Sequence, residues 1–282
     1  MTQLHHQVNH RHDRHSSARR PSARLCRNAS AFRKASRRPS CPSRPSSPLS
    51  PALSKLLARL PVQDDGEALR QSLFHSGTHF NPDLLTSEAE RRARLEGVHA
   101  ALDRAESLVF LDTESTGGRN GRLIEVALVE TDVEQNVTGG LHFRCNPHRR
   151  SLAGARRVHG IQDCELEHCP EFAARADELL EAVRGKTVVI HDRTMDLLWL
   201  NRELQAARPG APRFEDRCTV VDSFVLARAI PSERRRNGLD ALLEWYGLGA
   251  RGGHHDAYGD AALLSRVFFE LWWDLDEWLY GE

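Results

Sequence analysis

Val109-Phe110-Leu111-Asp112-Thr113-Glu114-Ser115-Thr116-Gly117 reads as a short apolar strand that ends on two carboxylates two residues apart. Residues i and i+2 of a strand share a face, so Asp112 and Glu114 converge on one small volume where the strand stops. Two carboxylates crowded in this way repel, and one holds its proton unless a cation pairs with both. Hard oxygen ligands suit a divalent ion such as Mg²⁺ or Mn²⁺. An Asp-x-Glu at a strand end also serves as an ordinary helix cap or a solvated pair, so the companions of this motif have to decide between the two readings.

Further acids do recur downstream. The segment Gly253-His254-His255-Asp256-Ala257-Tyr258-Gly259-Asp260 leads into a helix running to about Leu271, with Leu263, Leu264, Val267 and Phe268 at helical spacing. Asp260 then lies in the first turns, with His255 on the entry loop just ahead. An imidazole titrates near neutrality, so His255 beside a carboxylate-bound cation is suited to take a proton from water. Between these ends, Thr187-Val188-Val189-Ile190-His191 reads as a buried strand, and Asp196 falls in the following helix with Leu197, Leu198, Leu200 and Leu204. It supplies a fourth acid.

These residues resemble the DEDDh 3′ to 5′ exonuclease family, which includes the proofreading subunit of bacterial DNA polymerase III and ribonuclease T. Phe110-Leu111-Asp112-Thr113-Glu114 is similar to the first motif, with Ser115 where the family more often has threonine. His191-Asp192-Arg193-Thr194-Met195-Asp196 resembles the second, His-Asn-x-x-Phe-Asp, with Asp192 and Met195 as departures. His255, Ala257 and Asp260 meet the third, His-x-Ala-x-x-Asp. Two landmarks agree, Arg157-Val158-His159-Gly160-Ile161 and Asn237-Gly238-Leu239-Asp240-Ala241-Leu242, and the resemblance covers about Leu108 to Leu271.

The resemblance implies an RNase H-like fold and a metal-dependent enzyme that hydrolyses phosphodiester bonds from the 3′ end of DNA, releasing nucleoside 5′-monophosphates. It implies that Asp112, Glu114, Asp196 and Asp260 hold two divalent ions, Mg²⁺ or Mn²⁺, with His255 as general base. His254 lacks the five-residue step to Asp260 and is read as a solvated neighbour. The Thr113 backbone, Leu111 and Met195 are expected to meet the terminal base or sugar, and His159 to neighbour a phosphate. Asp192 is read as the cap of the helix that follows. The substrate is a single-stranded or frayed 3′ end of DNA, with RNA trimming as the alternative because the same five residues serve it, and a polymerase or repair protein is the expected partner. A module that binds nucleic acid or a polymerase without catalysis is the remaining class, and retention of four acids plus the histidine weighs against it.

Strand candidates after the first are Leu123–Glu130, Leu141–Cys145, Val188–His191 and Thr219–Val221, and helices alternate with the later ones. The fold class is therefore α/β, with a central mixed five-stranded sheet flanked by helices. The domain organisation reads as a basic tail over 1–52, a helical lead-in over 53–106, the exonuclease domain over 107–271 and an aromatic helix over 272–282. Lys and Arg number 39 and so do Asp and Glu, yet the neutral sum hides an asymmetry. The first fifty or so residues are Arg, Ser, Pro and His with a single acid, Asp13, and cannot bury enough apolar surface to offset chain entropy.

Three readings of that tail stand: an arm that gathers nucleic acid, a transit peptide, or sequence swept in by an upstream start codon. A disordered arm or a mis-set start is favoured. The six cysteines form no Cys-x-x-Cys pair, which argues for reduced thiols rather than a zinc knuckle. With neither a signal peptide nor an apolar run of membrane-spanning length, a cytoplasmic setting without membrane attachment is the expectation. The stretch from Phe268 to Tyr280 is aromatic at helical spacing, which favours packing onto the domain over docking of a partner.

Overall fold

The apolar run from Leu123 to Val129 is long enough to be buried on both faces of a sheet, and it becomes the second of five strands. A computed structural model describes residues 87–281; the basic tail and the helical segment read from Leu53 onward lie outside the described residues up to that point. The strands are β1 (Ser107–Ser115), β2 (Leu123–Asp132), β3 (Val137–Arg144), β4 (Thr187–Ile190) and β5 (Thr219–Asp222). They form one sheet in the order β3-β2-β1-β4-β5. β1 pairs antiparallel with β2, as β2 does with β3, whereas β4 runs parallel to both β1 and β5. This mixed five-stranded sheet, flanked by helices, is RNase H-like, as expected.

β3 begins four residues earlier than the sequence suggested. Val137-Thr138-Gly139-Gly140 is exposed edge strand. Gly140 is there for a packing reason: a Cβ at that position would lie 2.5 Å from the Leu128 carbonyl oxygen across the ladder.

Strand alternation divides the core into two layers. Leu108, Phe110, Val129, Val189 and Val221 pack with apolar residues of α1 (Glu88–Leu102), α6 (Ser223–Ala229), α7 (Leu239–Trp245) and α8 (Ala257–Tyr280). Val109, Leu111, Val126, Leu128, Val188, Ile190 and Val220 pack with α4 (Ala176–Ala182) and α5 (Thr194–Ala207) on the opposite face. Two short helices, α2 (Ala153–His159) and α3 (Asp163–Leu166), lie between β3 and α4.

The boundary placed at residue 271 does not exist. α8 is a single helix of 24 residues ending at Tyr280, and its buried stripe runs on through Leu271, Leu275 and Leu279, with no glycine or proline between Leu271 and Gly281. Stacking of Phe269 on Trp272, centroids 6.0 Å apart, carries the aromatic packing across the proposed break. The aromatic end packs on the lead-in helix α1, where the His99 ring meets Tyr280 at 5.2 Å and bonds Asp276 at 3.0 Å. α1 starts on a capping box between Ser87 and Glu90, which satisfies two otherwise orphaned N–H groups.

Candidate active site

The site exists because β1 outruns its parallel neighbour. Pairing of β1 with β4 ends at Leu111 opposite Ile190, whereas pairing with β2 continues to Ser115. Asp112 and Glu114 therefore stand on a strand end with one open flank, and helices from both faces of the sheet bring acids to it. α8 delivers Asp260 from its first turn. α5 delivers Asp196 from the other face, where the Thr113 hydroxyl donates to Asp196 Oδ1 at 2.6 Å.

The start of α5 depends on a further carboxylate. Asp222, 6% exposed at the end of β5, accepts from the backbone N–H groups of Asp192 (3.2 Å), Arg193 (3.3 Å), Phe224 (3.0 Å) and Val225 (3.3 Å). It thus holds the entries of α5 and α6 together. Asp192 is not the cap of α5: Arg193 occupies that position without a side-chain bond. Asp192 instead has a left-handed backbone, φ 57°, a conformation that Asp and Asn tolerate better than other non-glycine residues. That shared tolerance accounts for Asp standing where the resemblance has Asn.

Glu114, His255 and Asp260 approach most closely, with one ligand atom from each within 4.8 Å of the others. His255 is held by its backbone N–H, which donates to the Val158 carbonyl at 2.9 Å. His254 is exposed but not idle. Its ring covers Gly160, where a Cβ would meet it at 2.6 Å, so the glycine of the α2 turn lets the histidine loop approach.

The acids perturb one another. Burial, then the charges of Asp196, Asp260 and Glu114, pushes Asp112 well above the usual carboxylate range. Burial, with Glu125, Asp260 and Asp196 close by, pushes Glu114 up to about 8. Burial also raises Asp196 to about 7 against the pull of the Thr113 hydrogen bond, and Asp260 to about 6 against the pull of Arg251. In such a cluster the carboxyls keep protons unless a cation offsets their mutual repulsion.

Arg251 partly answers that repulsion, and no motif pointed to it. Its guanidinium donates to Asp260 Oδ2 at 2.7 Å, lies 2.7 Å from His255 Nδ1 and pairs with Asp240 at 2.8 Å. Burial and the Arg251 charge together lower the His255 pKa, so the imidazole is neutral at neutral pH. An all-oxygen acid set with one neutral imidazole, crowded enough to draw in a guanidinium, fits a hard divalent cation.

Two expected substrate contacts are corrected. Leu111 is fully buried in the layer under α5, because strand alternation that turns Asp112 and Glu114 to one face turns Leu111 to the other. His159 is 4% exposed, and its Nδ1 accepts from the Ile161 N–H at 3.0 Å. It braces a turn, and burial lowers its pKa, so it presents no cationic surface to a phosphate. Thr113 is buried as well, its side chain committed to Asp196, while Met195 is half-buried in the first turn of α5 beside Asp196.

Glu125 is another residue that sequence reading passed over, although a charge inside the run Leu123-Ile124-Glu125-Val126 was a visible signal. It faces Glu114 across the β1–β2 ladder. It accepts from Arg144 Nε at 2.8 Å and from the Ala257 N–H at 3.1 Å, and bonds the His142 ring at 3.0 Å. Through Ala257 it fixes the start of α8, and so the place of Asp260.

Comparison with known proteins points to an exonuclease family. The family profile described as Exonuclease, of the RNase T type, matches residues 109–268. The chain is 34% identical over 168 residues to DNA polymerase III subunit epsilon of Rickettsia felis, covering 58% of this chain and 72% of the relative. It is 33% identical over 172 residues to the same subunit of Escherichia coli, covering 58% and 70%. Among solved structures, E. coli exonuclease I in complex with a dT13 oligonucleotide matches at 20% identity with a TM-score of 0.49, covering 61% of this chain. The chain spans about two-fifths of that exonuclease I, 41% of its length. No described helix is long and apolar enough to cross a membrane. With a profile match from the first strand to the long last helix, this chain belongs to the DEDDh family of 3′ to 5′ exonucleases.

Proposed function

We propose that the chain removes nucleotides one at a time from single-stranded or frayed 3′ ends of DNA, releasing nucleoside 5′-monophosphates, in a proofreading or repair role. The observation that carries this reading is the convergence of Asp112, Glu114, Asp196 and Asp260, each with its pKa raised, on one strand end beside a neutral His255. Asp112, Glu114, Asp196 and Asp260 would hold two Mg²⁺ or Mn²⁺ ions. Ions so bound supply Lewis-acid stabilisation of charge on the phosphoryl and leaving oxygens and lower the pKa of a bound water.

The protein's own groups do the rest. His255, neutral and a third exposed, takes the proton of the attacking water. Thr113 fixes the rotamer of Asp196 through its hydroxyl, and Glu125 fixes the register of α8. Met195 is the apolar side chain placed to meet the terminal nucleotide. DNA is favoured over RNA by the kinship with polymerase III epsilon subunits, whose name also supports a polymerase as partner.

Single-stranded DNA and RNA of matched sequence, labelled at the 5′ end, test this in Mg²⁺ or Mn²⁺. A ladder that shortens from the 3′ end, faster on DNA and reduced at least about 10³-fold by Asp112→Ala, is the expected result. Intact strands with either metal would overturn the catalytic reading, and faster shortening of RNA would overturn the choice of DNA.

A further inference from the structure

Linked to the acids lies an open cleft of about 550 Å³, within the roughly 300–1,000 Å³ usual for ligand sites. Phe224, Arg228, Arg235, Arg236, Asn237 and Asp240 contribute to its lining. It adjoins the acid cluster through one residue: Asp240 pairs with Arg251, which in turn binds Asp260 and His255. A second link runs through His191, whose ring packs edge-on against Phe224 at 5.7 Å and whose chain directly follows β4, the strand beside β1.

The cleft is strongly basic where it is open. Arg228, Arg235 and Arg236 are exposed, and the guanidinium of Arg228 sits 5.9 Å from the Phe224 ring centroid. The lining acid, Asp240, is already paired with Arg251 at 2.8 Å. Glu244 lies 3.4 Å from Arg236, but both side chains are about three-quarters exposed, and pairs of that kind hold little energy. Asn237 lines the cleft as well, and its side-chain oxygen Oδ1 is buried without a hydrogen-bond partner among the described residues. Guanidiniums that track phosphates and an aromatic face on which a base stacks are what single-stranded nucleic acid requires.

We propose that this cleft holds the strand upstream of the scissile bond, Arg235 and Arg236 on its phosphates and Phe224 against a base. The assignment rests on the exonuclease reading above and deepens it, since it names a second contact region for the same substrate. It makes affinity depend on strand length. A dinucleotide reaches only the acids, whereas an octamer also fills the cleft.

Fluorescence anisotropy with labelled dT2 and dT8 in an Asp112→Asn background tests it. Arg235→Glu/Arg236→Glu is expected to weaken dT8 binding at least about tenfold and to reduce the slope of log K against log salt by about 1.4, two phosphates at roughly 0.7 each. Phe224→Leu is expected to weaken it about fivefold or more, by loss of stacking. Thermal unfolding checks that each variant is folded. An unchanged dT8 affinity and salt slope in the double reversal overturns the proposal. So does an equal loss in Arg208→Glu/Arg213→Glu, which places the same charge at the far end of α5 from Asp196. Normal dT8 binding with loss of a polymerase partner would make the cleft a protein-docking surface and overturns it too. Hydrolysis of thymidine 5′-p-nitrophenyl phosphate by the wild type separates the two readings, because that small ester needs the acids and not the cleft. Absence of its hydrolysis in Mn²⁺ sinks the exonuclease reading itself.

Discussion

Glu114 and Glu125 face each other across β1 and β2, both are acids in a protein interior, and they are treated oppositely. Burial would push Glu125 up, but hydrogen bonds from His142 and Arg144, and one from the Ala257 N–H, outweigh it and hold the carboxyl down at about 2. Glu114 has burial and three like charges against it, with Arg251 the opposing charge, and is pushed up to about 8. One strand apart, the protein supplies hydrogen bonds from cations and an N–H donor to the acid that fixes the start of α8, and leaves the acid of the cluster with only the more distant charge of Arg251. A buried carboxylate left short of donors marks the place where something other than protein completes the charge balance.

The largest effect expected from this contrast is at Glu125. Glu125→Gln removes the charge that Arg144 and His142 meet and weakens the hold on the start of α8. Breaking a buried ion pair costs about 3–5 kcal/mol. Arg144 remains a third exposed and can turn to water, which brings the expected loss to about 2–3 kcal/mol in urea unfolding. Glu114→Gln is expected to leave the metal-free protein as stable as wild type or more so at pH 8, while exonuclease activity falls at least about 10²-fold. If both substitutions destabilise equally, the contrast is not real.

Asp222 sharpens the comparison as a third buried acid, satisfied by backbone rather than by cations. Asp222→Ala orphans four N–H groups at the starts of α5 and α6. The expected loss is about 2 kcal/mol, the upper end for a helix cap, and activity falls with it because Asp196 rides on α5. Asp222→Asn, which keeps one acceptor oxygen, should recover about half. A full loss of activity in Asp222→Ala without any change in stability would place Asp222 in the chemistry instead of the framework.

The acid cluster also fixes how stability follows pH. Asp112, Glu114, Asp196 and Asp260 all have folded pKa values above their unfolded ones, so the native state keeps protons that the unfolded chain has released. Their contribution is complete below about pH 4, the unfolded range, and is lost as pH rises through about 6, 7 and 8, the folded values of Asp260, Asp196 and Glu114. Glu125 works the other way, stabilising above the unfolded range and losing that contribution as pH falls through about 2. The unfolding temperature of the EDTA-treated protein is therefore expected to fall between pH 6 and 8, and Mn²⁺ to raise it more at pH 8 than at pH 6. A metal effect independent of pH would sever the acids from the cation.

How far the sequence could be read follows the same physics. Asp112 and Glu114, and the strand and helix that bring Asp196 and Asp260, were legible because alternation and helical period act locally. The sheet order was legible only through resemblance. Leu111 was misjudged even though the alternation that paired Asp112 with Glu114 already turned it into the core. The end of α8 was cut short because an aromatic run looked like a new element, whereas its Leu271, Leu275 and Leu279 stripe is one face continued. Arg251 was not legible at all: it sits in a glycine-rich loop, and its three partners are gathered by α7, α8 and the loop itself. Asp222 lay one residue past the strand candidate Thr219–Val221 and was not singled out, because its donors come from two separate helix entries.

Asp192 gives the smallest expected effect and isolates backbone from charge. Its φ of 57° is a conformation that costs most L-residues about 1–2 kcal/mol and Asn or Asp less. Its side chain is exposed, but its charge raises the pKa of both Asp196 and Asp222. Asp192→Asn keeps the tolerance for a left-handed backbone and removes the charge, so stability should hold within about 0.5 kcal/mol while metal-free Asp196 ionises at lower pH. Asp192→Ala removes both and should cost about 1 kcal/mol. Equal stability of the two variants would show that the turn between β4 and α5 does not select for side chain. A pH profile of exonuclease activity unmoved by Asp192→Asn would show that an exposed acid two residues from the helix start leaves no mark on Asp196.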